Sequence, residues 1–389
     1  MIAAMAQTKK PLQDQSWAGI SSRRVFLGGM GAAGVAALFP GFSAEAQAGP
    51  RRIDVHHHFT PPAYLEFTRM YSTAASGERG AGRGAAAAAG RGGGQDFSGW
   101  KLEADLDDMD KNGTATAILS LTTPGLWFGP QTAIRKAVRE SNEFAAKLGA
   151  DHKGRFGSFA SIYPPDTDGS LKEMEYALDT LKADGIFLYS SYRDKWLGDD
   201  SFIPVYEELN RRKAVVYVHP IEAACCMNLV PNVGDSMVEY GADTTRTIAS
   251  LIFSGSSTRY PDIRWIFSHG GGTMPYLIER FLSGPTAELI PGICCSPKRA
   301  LGEGAATRGG VLEELQKMHY DTAQVWNPIA LRALRTVVPV TQILFGTDYW
   351  YRSAGETGKG LTTNQVFSAA ELKMIDRGNV ERILPKYKS

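Results

Sequence analysis

Arg52-Ile53-Asp54-Val55-His56-His57-His58 is the stretch that decides how the rest of the chain is read. Four β-prone residues lead straight into three histidines. Side chains alternate along a strand, so His56 and His58 point one way and His57 the other. Two imidazoles on one face, at the C-terminal end of a strand, form half of a metal site. Candidates for the other half stand at His219, His269 and Asp348, each at the end of its own apolar, strand-like run. His219 closes Val215-Val216-Tyr217-Val218 and precedes Pro220, so the strand stops where the histidine stands. Asp348 closes Ile343-Leu344-Phe345-Gly346-Thr347 in the same manner. Zinc-like ions favour imidazole and carboxylate ligands, and catalytic sites keep a position open. His56, His58, His219 and Asp348 are therefore the expected ligands of one divalent ion, zinc or manganese, with room for one water.

His269 follows Trp265-Ile266-Phe267-Ser268 and precedes Gly270-Gly271-Gly272. Glycines there let backbone approach a ligand closely. An unligated histidine beside the metal can move protons near neutral pH, which is the role expected of His269; a further ligand is the alternative. His57 faces away and is expected to be structural. His152 and His319 receive no role.

Working outward, apolar β-rich runs recur at Ile53–His58, Thr116–Leu121, Phe156–Tyr163, Gly185–Tyr189, Ala214–His219, Ile263–His269, His319–Thr322 and Gln342–Thr347. Segments of helical period lie between most of them: Leu102–Lys111, Thr132–Leu148, Ser170–Ala183, Phe202–Arg212, Thr244–Phe253, Met274–Leu282 and Pro328–Val337. Unbroken apolar strands alternating with amphipathic helices indicate a parallel sheet covered on both faces. Eight such units predict a closed (β/α)8 TIM barrel, whose active site lies at the C-terminal strand ends. The candidate ligands fall at those ends in the first, fifth and eighth strands, and His269 ends the sixth.

The 389-residue chain opens on a segment of another kind. Ser22-Arg23-Arg24-Val25-Phe26-Leu27 has the twin-arginine pattern, a Gly/Ala-rich stretch follows to Phe42, and Ala46-Gln47-Ala48 offers a small-x-small cleavage site. Residues 1–48 are expected to be a twin-arginine signal peptide, the route that exports proteins already folded, which implies a periplasmic enzyme loaded with its metal beforehand. That stretch is too short and glycine-rich to span a membrane comfortably, and no later segment is apolar enough. Residues 74–95 are almost all Gly, Ala and Arg and are expected to form an irregular insert. A net charge of +1 gives no indication of a nucleic-acid partner, and a hydrophobic content of 43% supports a large core. The four cysteines form two vicinal pairs, Cys225-Cys226 and Cys294-Cys295, which fit no zinc-ribbon spacing. An oxidising compartment permits a disulfide between the pairs; four free thiols are the alternative.

These residues resemble the amidohydrolase superfamily, and within it the branch of aminocarboxymuconate-semialdehyde decarboxylase-like proteins. The markers are Asp54-Val55-His56-His57-His58-Phe59, Met109-Asp110-Lys111-Asn112-Gly113, Val218-His219-Pro220, Ser268-His269-Gly270-Gly271-Gly272 and Gly346-Thr347-Asp348. The resemblance covers nearly all of the chain after residue 48. It implies that His56, His58, His219 and Asp348 hold one zinc-like ion, and that His269 acts on metal-bound water or substrate. It also implies non-oxidative decarboxylation of a small aromatic or unsaturated carboxylic acid. A proton is delivered to carbon and the carbon–carboxylate bond breaks. Related two-metal barrels carry a modified lysine at the end of strand four; Ile186-Phe187-Leu188-Tyr189-Ser190-Ser191 has none, so one metal is expected. Arg280, eleven residues after His269, matches an arginine that in the decarboxylase crosses a dimer interface to the substrate carboxylate. A homodimer is expected with that role, and a surface arginine without it. The family's other substrate arginine belongs to the insert after strand one, where this chain has its Gly/Ala tract and no matching residue. Trp127 and Phe128, after strand two, either wall the substrate's ring or anchor the loop. A hydrolase or hydratase of the same fold would use the same ligands and is the rival reading. A periplasmic metal-binding protein without catalysis is a third, and the pairing of His269 with Asp348 argues against it.

Overall fold

The computed structural model describes residues 51–78, 99–227, 229–282 and 310–388. Eight parallel strands follow one another round a (β/α)8 barrel: β1 Arg52–His58, β2 Thr114–Ser120, β3 Phe156–Ser161, β4 Gly185–Tyr189, β5 Val215–His219, β6 Arg264–Phe267, β7 His319–Asp321 and β8 Ile343–Leu344. Backbone hydrogen bonds complete the ring between its ends. Val55 N–H donates to the Phe345 carbonyl (3.0 Å), Asp348 N–H to His56 (2.9 Å) and His58 N–H to Tyr349 (2.8 Å). Every residue of β4 and β5 is buried, as strands covered on both faces require. Aromatic rings fill the interior, Phe159 stacking on Tyr217 with centroids 5.3 Å apart.

Helices lie where periodicity predicts them, including Leu102–Asn112, Gln131–Asp151, Glu239–Phe253 and Pro328–Val337. The last begins on Pro328, with the Asn327 side chain capping the N–H groups of Ile329 and Ala330. Three departures have local causes. The strand expected over Gln342–Thr347 shrinks to two residues, because Val340–Gln342 forms a 3-10 turn and Asp348 turns left-handed (φ 67°). The helix expected over Met274–Leu282 starts only at Ile278, since Gly270, Gly271 and Gly272 all take positive φ and the chain is still turning beyond them. The insert expected from residue 74 begins as helix instead: Pro62–Glu78 runs on into it, alanine being the strongest helix former.

The rest of that insert, the expected signal peptide and Cys294-Cys295 lie outside the described residues. Cys225 and Cys226 carry free thiols. Among the described residues no helix is long and apolar enough to cross a membrane.

Candidate metal centre

The ends of β1 and β5 and the turn after β8 bring four donors together. His56, His58, His219 and Asp348 are all buried and offer ligand atoms within 4.8 Å of one another. Nε2 of His56 lies 3.1 Å from Nε2 of His58, and Asp348 Oδ1 lies 3.1 Å from His58 Nε2 and 3.4 Å from His56 Nε2. Acceptors hold the other ring nitrogens. Nδ1 of His56 meets Asp321 Oδ2 at 2.8 Å, Nδ1 of His219 meets the Pro220 carbonyl at 2.8 Å, and Nδ1 of His58 faces the Ser120 carbonyl at 3.4 Å. An imidazole that donates from Nδ1 presents its Nε2 lone pair, as a metal ligand must. Lone pairs facing one another across 3.1 Å repel unless positive charge lies among them, so the donor set fits a divalent cation.

The electrostatics point the same way. Burial opposes charge on His56, yet the carboxylates of Asp321 and Asp348 overcome it and push the imidazole up to about 10. Burial holds His58 below its ordinary value against the pull of Asp348, and holds His219 well below, with His58 and His56 adding to the effect. Burial alone would raise Asp348; His56 and His58 instead hold it well below the usual carboxylate range. Only His56 is driven toward the charged form, while His58 and His219 are held neutral, as ligands to a cation must be.

Asp321, at the end of β7, is the residue that sequence reasoning misses. Besides His56, it accepts the backbone N–H groups of His269 (2.9 Å) and Ala323 (3.0 Å). It thus joins a ligand to the proton-transfer candidate. His269 donates from Nδ1 to the Ala323 carbonyl (3.1 Å), while its buried Nε2 has no hydrogen-bond partner among the described residues. Its ring lies 4.9 Å from that of His56, and burial, then the charge on His56, lower its pKa. His57 points away as alternation requires. Its two nitrogens meet Asp54 Oδ2 (2.9 Å) and Asp105 Oδ1 (2.8 Å). Asp54 also accepts the Thr347 hydroxyl (2.6 Å) and backbone N–H (3.1 Å), tying β1 to the turn that carries Asp348.

A cavity of about 520 Å³ opens over the centre, with His219, His269 and Asp348 in its floor and Tyr240, Tyr351 and Val325 in its walls. The Tyr240 hydroxyl pairs with Thr123 Oγ1 at 2.8 Å and that of Tyr351 with Thr122 Oγ1 at 3.3 Å. Gln324 donates its amide to Asp348 Oδ2. His269, Gln324 and Asp348 all hold left-handed backbone, with φ of 52°, 54° and 67°. Arg352 supplies the cavity's one cationic lining side chain among the described residues; it is exposed, and Glu356 lies 3.9 Å away. Two expected site residues stand elsewhere. Trp127 is buried and does not line the cavity: its indole N–H donates to the Pro124 carbonyl at 2.6 Å, which anchors the loop. Arg280 is exposed on the short helix Ile278–Leu282 and is not among the lining residues of its own chain.

The family model described as amidohydrolase matches residues 53–386. The chain belongs to that amidohydrolase family. Among amidohydrolase relatives, decarboxylase yanB of Aspergillus niger is 43% identical over 246 residues, covering 59% of this chain and 61% of that protein, so the match spans less than two thirds of it. The 6-methylsalicylic acid decarboxylase acuB of Aspergillus aculeatus is 34% identical over 303 residues, 77% of this chain and 84% of that one. A dihydroxybenzoic acid decarboxylase of Polaromonas, solved with bound manganese and 2-nitroresorcinol, superimposes with a TM-score of 0.66 at 19% identity, covering 87% of this chain and 98% of that one. It shares the amidohydrolase fold.

Proposed function

We propose that this chain is a metal-dependent decarboxylase that removes carbon dioxide, without oxidation, from a small hydroxylated aromatic acid of the salicylate type. The observation that carries the reading is His269 Nε2, buried and without a hydrogen-bond partner among the described residues, in the floor of a cavity of about 520 Å³ beside four convergent metal donors. The names of the curated relatives support the same chemistry. His56, His58, His219 and Asp348 would hold one divalent ion, zinc or manganese, which acts when bound as a Lewis acid toward the substrate's oxygens.

The chain's own residues do the rest. His269, neutral with its lone pair on Nε2, takes the phenolic proton as the substrate enters. It then returns that proton to the ring carbon bearing the carboxylate. The carbon–carboxylate bond breaks, its electron pair returns to the ring, and carbon dioxide leaves; solvent reprotonates the phenolate. Tyr240 and Tyr351 confine the ring, and Arg352 attracts the carboxylate at the cavity mouth. Export of the folded enzyme by the twin-arginine route, and an Arg280 contact across a homodimer, belong to the same proposal.

The test is carbon dioxide release from a panel of hydroxybenzoates, with elemental analysis beside the His56→Ala variant. Turnover that follows one equivalent of metal, both lost in the variant, is the expected result. Ester or lactone hydrolysis without carbon dioxide release would overturn it.

A further inference from the structure

A second, larger cleft of about 1050 Å³ lies at the opposite rim of the barrel, where β1, β2 and β3 begin. Among the described residues, nine lysine and arginine side chains line it against a single carboxylate, Asp110. The whole chain is close to neutral, with 42 basic and 41 acidic side chains, so this concentration is local. Five of the nine face a carboxylate. Arg51, Lys153, Lys359 and Lys388 have no carboxylate partner among the described residues.

Two lining residues, one of them among these five, hold buried hydrogen-bond donors without acceptors among the described residues. Arg155 brings Nη2 within 2.7 Å of Asp110 without hydrogen-bond geometry, and its buried Nε has no partner among the described residues. Thr114, only 2% exposed, likewise leaves its hydroxyl unpartnered. Buried donors of this kind are costly unless something accepts from them. Free cations round a guanidinium and a hydroxyl suit the tetrahedral oxygens of a phosphate group, and the volume admits more than one.

We propose that this rim binds a multiply charged phosphate compound, inorganic polyphosphate or a phosphate ester, at a site separate from the metal centre. Such a site would serve docking or control and not the chemistry, since the residues lining the two cavities do not overlap.

The test is calorimetric titration of the purified protein with tripolyphosphate and, separately, a nucleoside triphosphate, both at low ionic strength, where charge is least screened. Saturable binding is expected. Lys153→Glu with Lys359→Glu should weaken it at least about tenfold, whereas Lys153→Arg with Lys359→Arg should retain it. Thr114→Val, nearly the same shape, should weaken it without unfolding the barrel. Tighter binding of the nucleotide would identify an ester as the ligand, and tighter binding of tripolyphosphate the inorganic chain. The variants share one metal centre, so capture of its ion by the probe is common to all and cancels. Absence of saturable binding, or equal binding in the glutamate variant, would overturn the proposal.

Discussion

Asp321 Oδ2 meets His56 Nδ1 at 2.8 Å, with both side chains fully buried. A carboxylate in that position fixes the ring's tautomer and raises the basicity of the nitrogen aimed at the metal. Asp321→Asn keeps the shape but removes the charge. It should lower metal affinity about 10–100-fold, measured by competition with a chelator. Unchanged affinity would show that the carboxylate orients the backbone of His269 and does nothing for the ion.

His269→Asn should leave the metal content intact and lower turnover about 10²–10⁴-fold. Burial, and then the charge His56 gathers, hold His269 below its ordinary 6.5. In the wild type, kcat/KM should therefore persist as pH falls through 6.5 and decline only further into acid, where Nε2 binds a proton. Loss of metal from the variant would make His269 a ligand instead.

Arg352→Gln tests the contact at the cavity mouth. The substrate carboxylate keeps its negative charge until the carbon–carboxylate bond breaks, so the contact is shared by the ground state and the transition state for protonation. KM for the acid should rise about tenfold while kcat holds. Binding of the decarboxylated phenol should be unaffected. A fall in kcat with unchanged KM would refute this placement.

His57 carries a pH signature of stability. Burial resists its charge, but Asp105 and Asp54 outweigh burial and push it up to about 10, above its ordinary 6.5. The stabilisation is complete below about 6.5 and disappears as pH rises through about 10. Denaturant titrations across that window should show wild-type stability falling more than that of His57→Gln. Parallel curves would mean that the imidazole is not charged in the folded protein.

The barrel is legible in the sequence because strands covered on both faces must be apolar throughout, and β4 and β5 show this plainly. The ligands are legible because His58, His219 and Asp348 interrupt such runs at their ends. Asp321 has no such signature: it closes a three-residue strand whose first residue, His319, draws the eye, and it meets His56 across 265 residues of sequence. Arg352 sits in a turn without periodicity, so only the folded chain shows that it borders the cavity. Trp127 is ambiguous in sequence for another reason, since an aromatic residue in a barrel loop suits a substrate wall and a loop anchor equally well.

Left-handed backbone at His269, Gln324 and Asp348 carries a cost of about 1–2 kcal/mol for each non-glycine residue, concentrated round one cavity. Selection for heat tolerance and selection for turnover therefore pull these three positions in opposite directions. Glycine at 324 would relax the chain yet release the amide that steadies Asp348. A hardened form of this enzyme would have to draw its extra stability from the helices and outer layers of the barrel, leaving the rim where chemistry happens under tension.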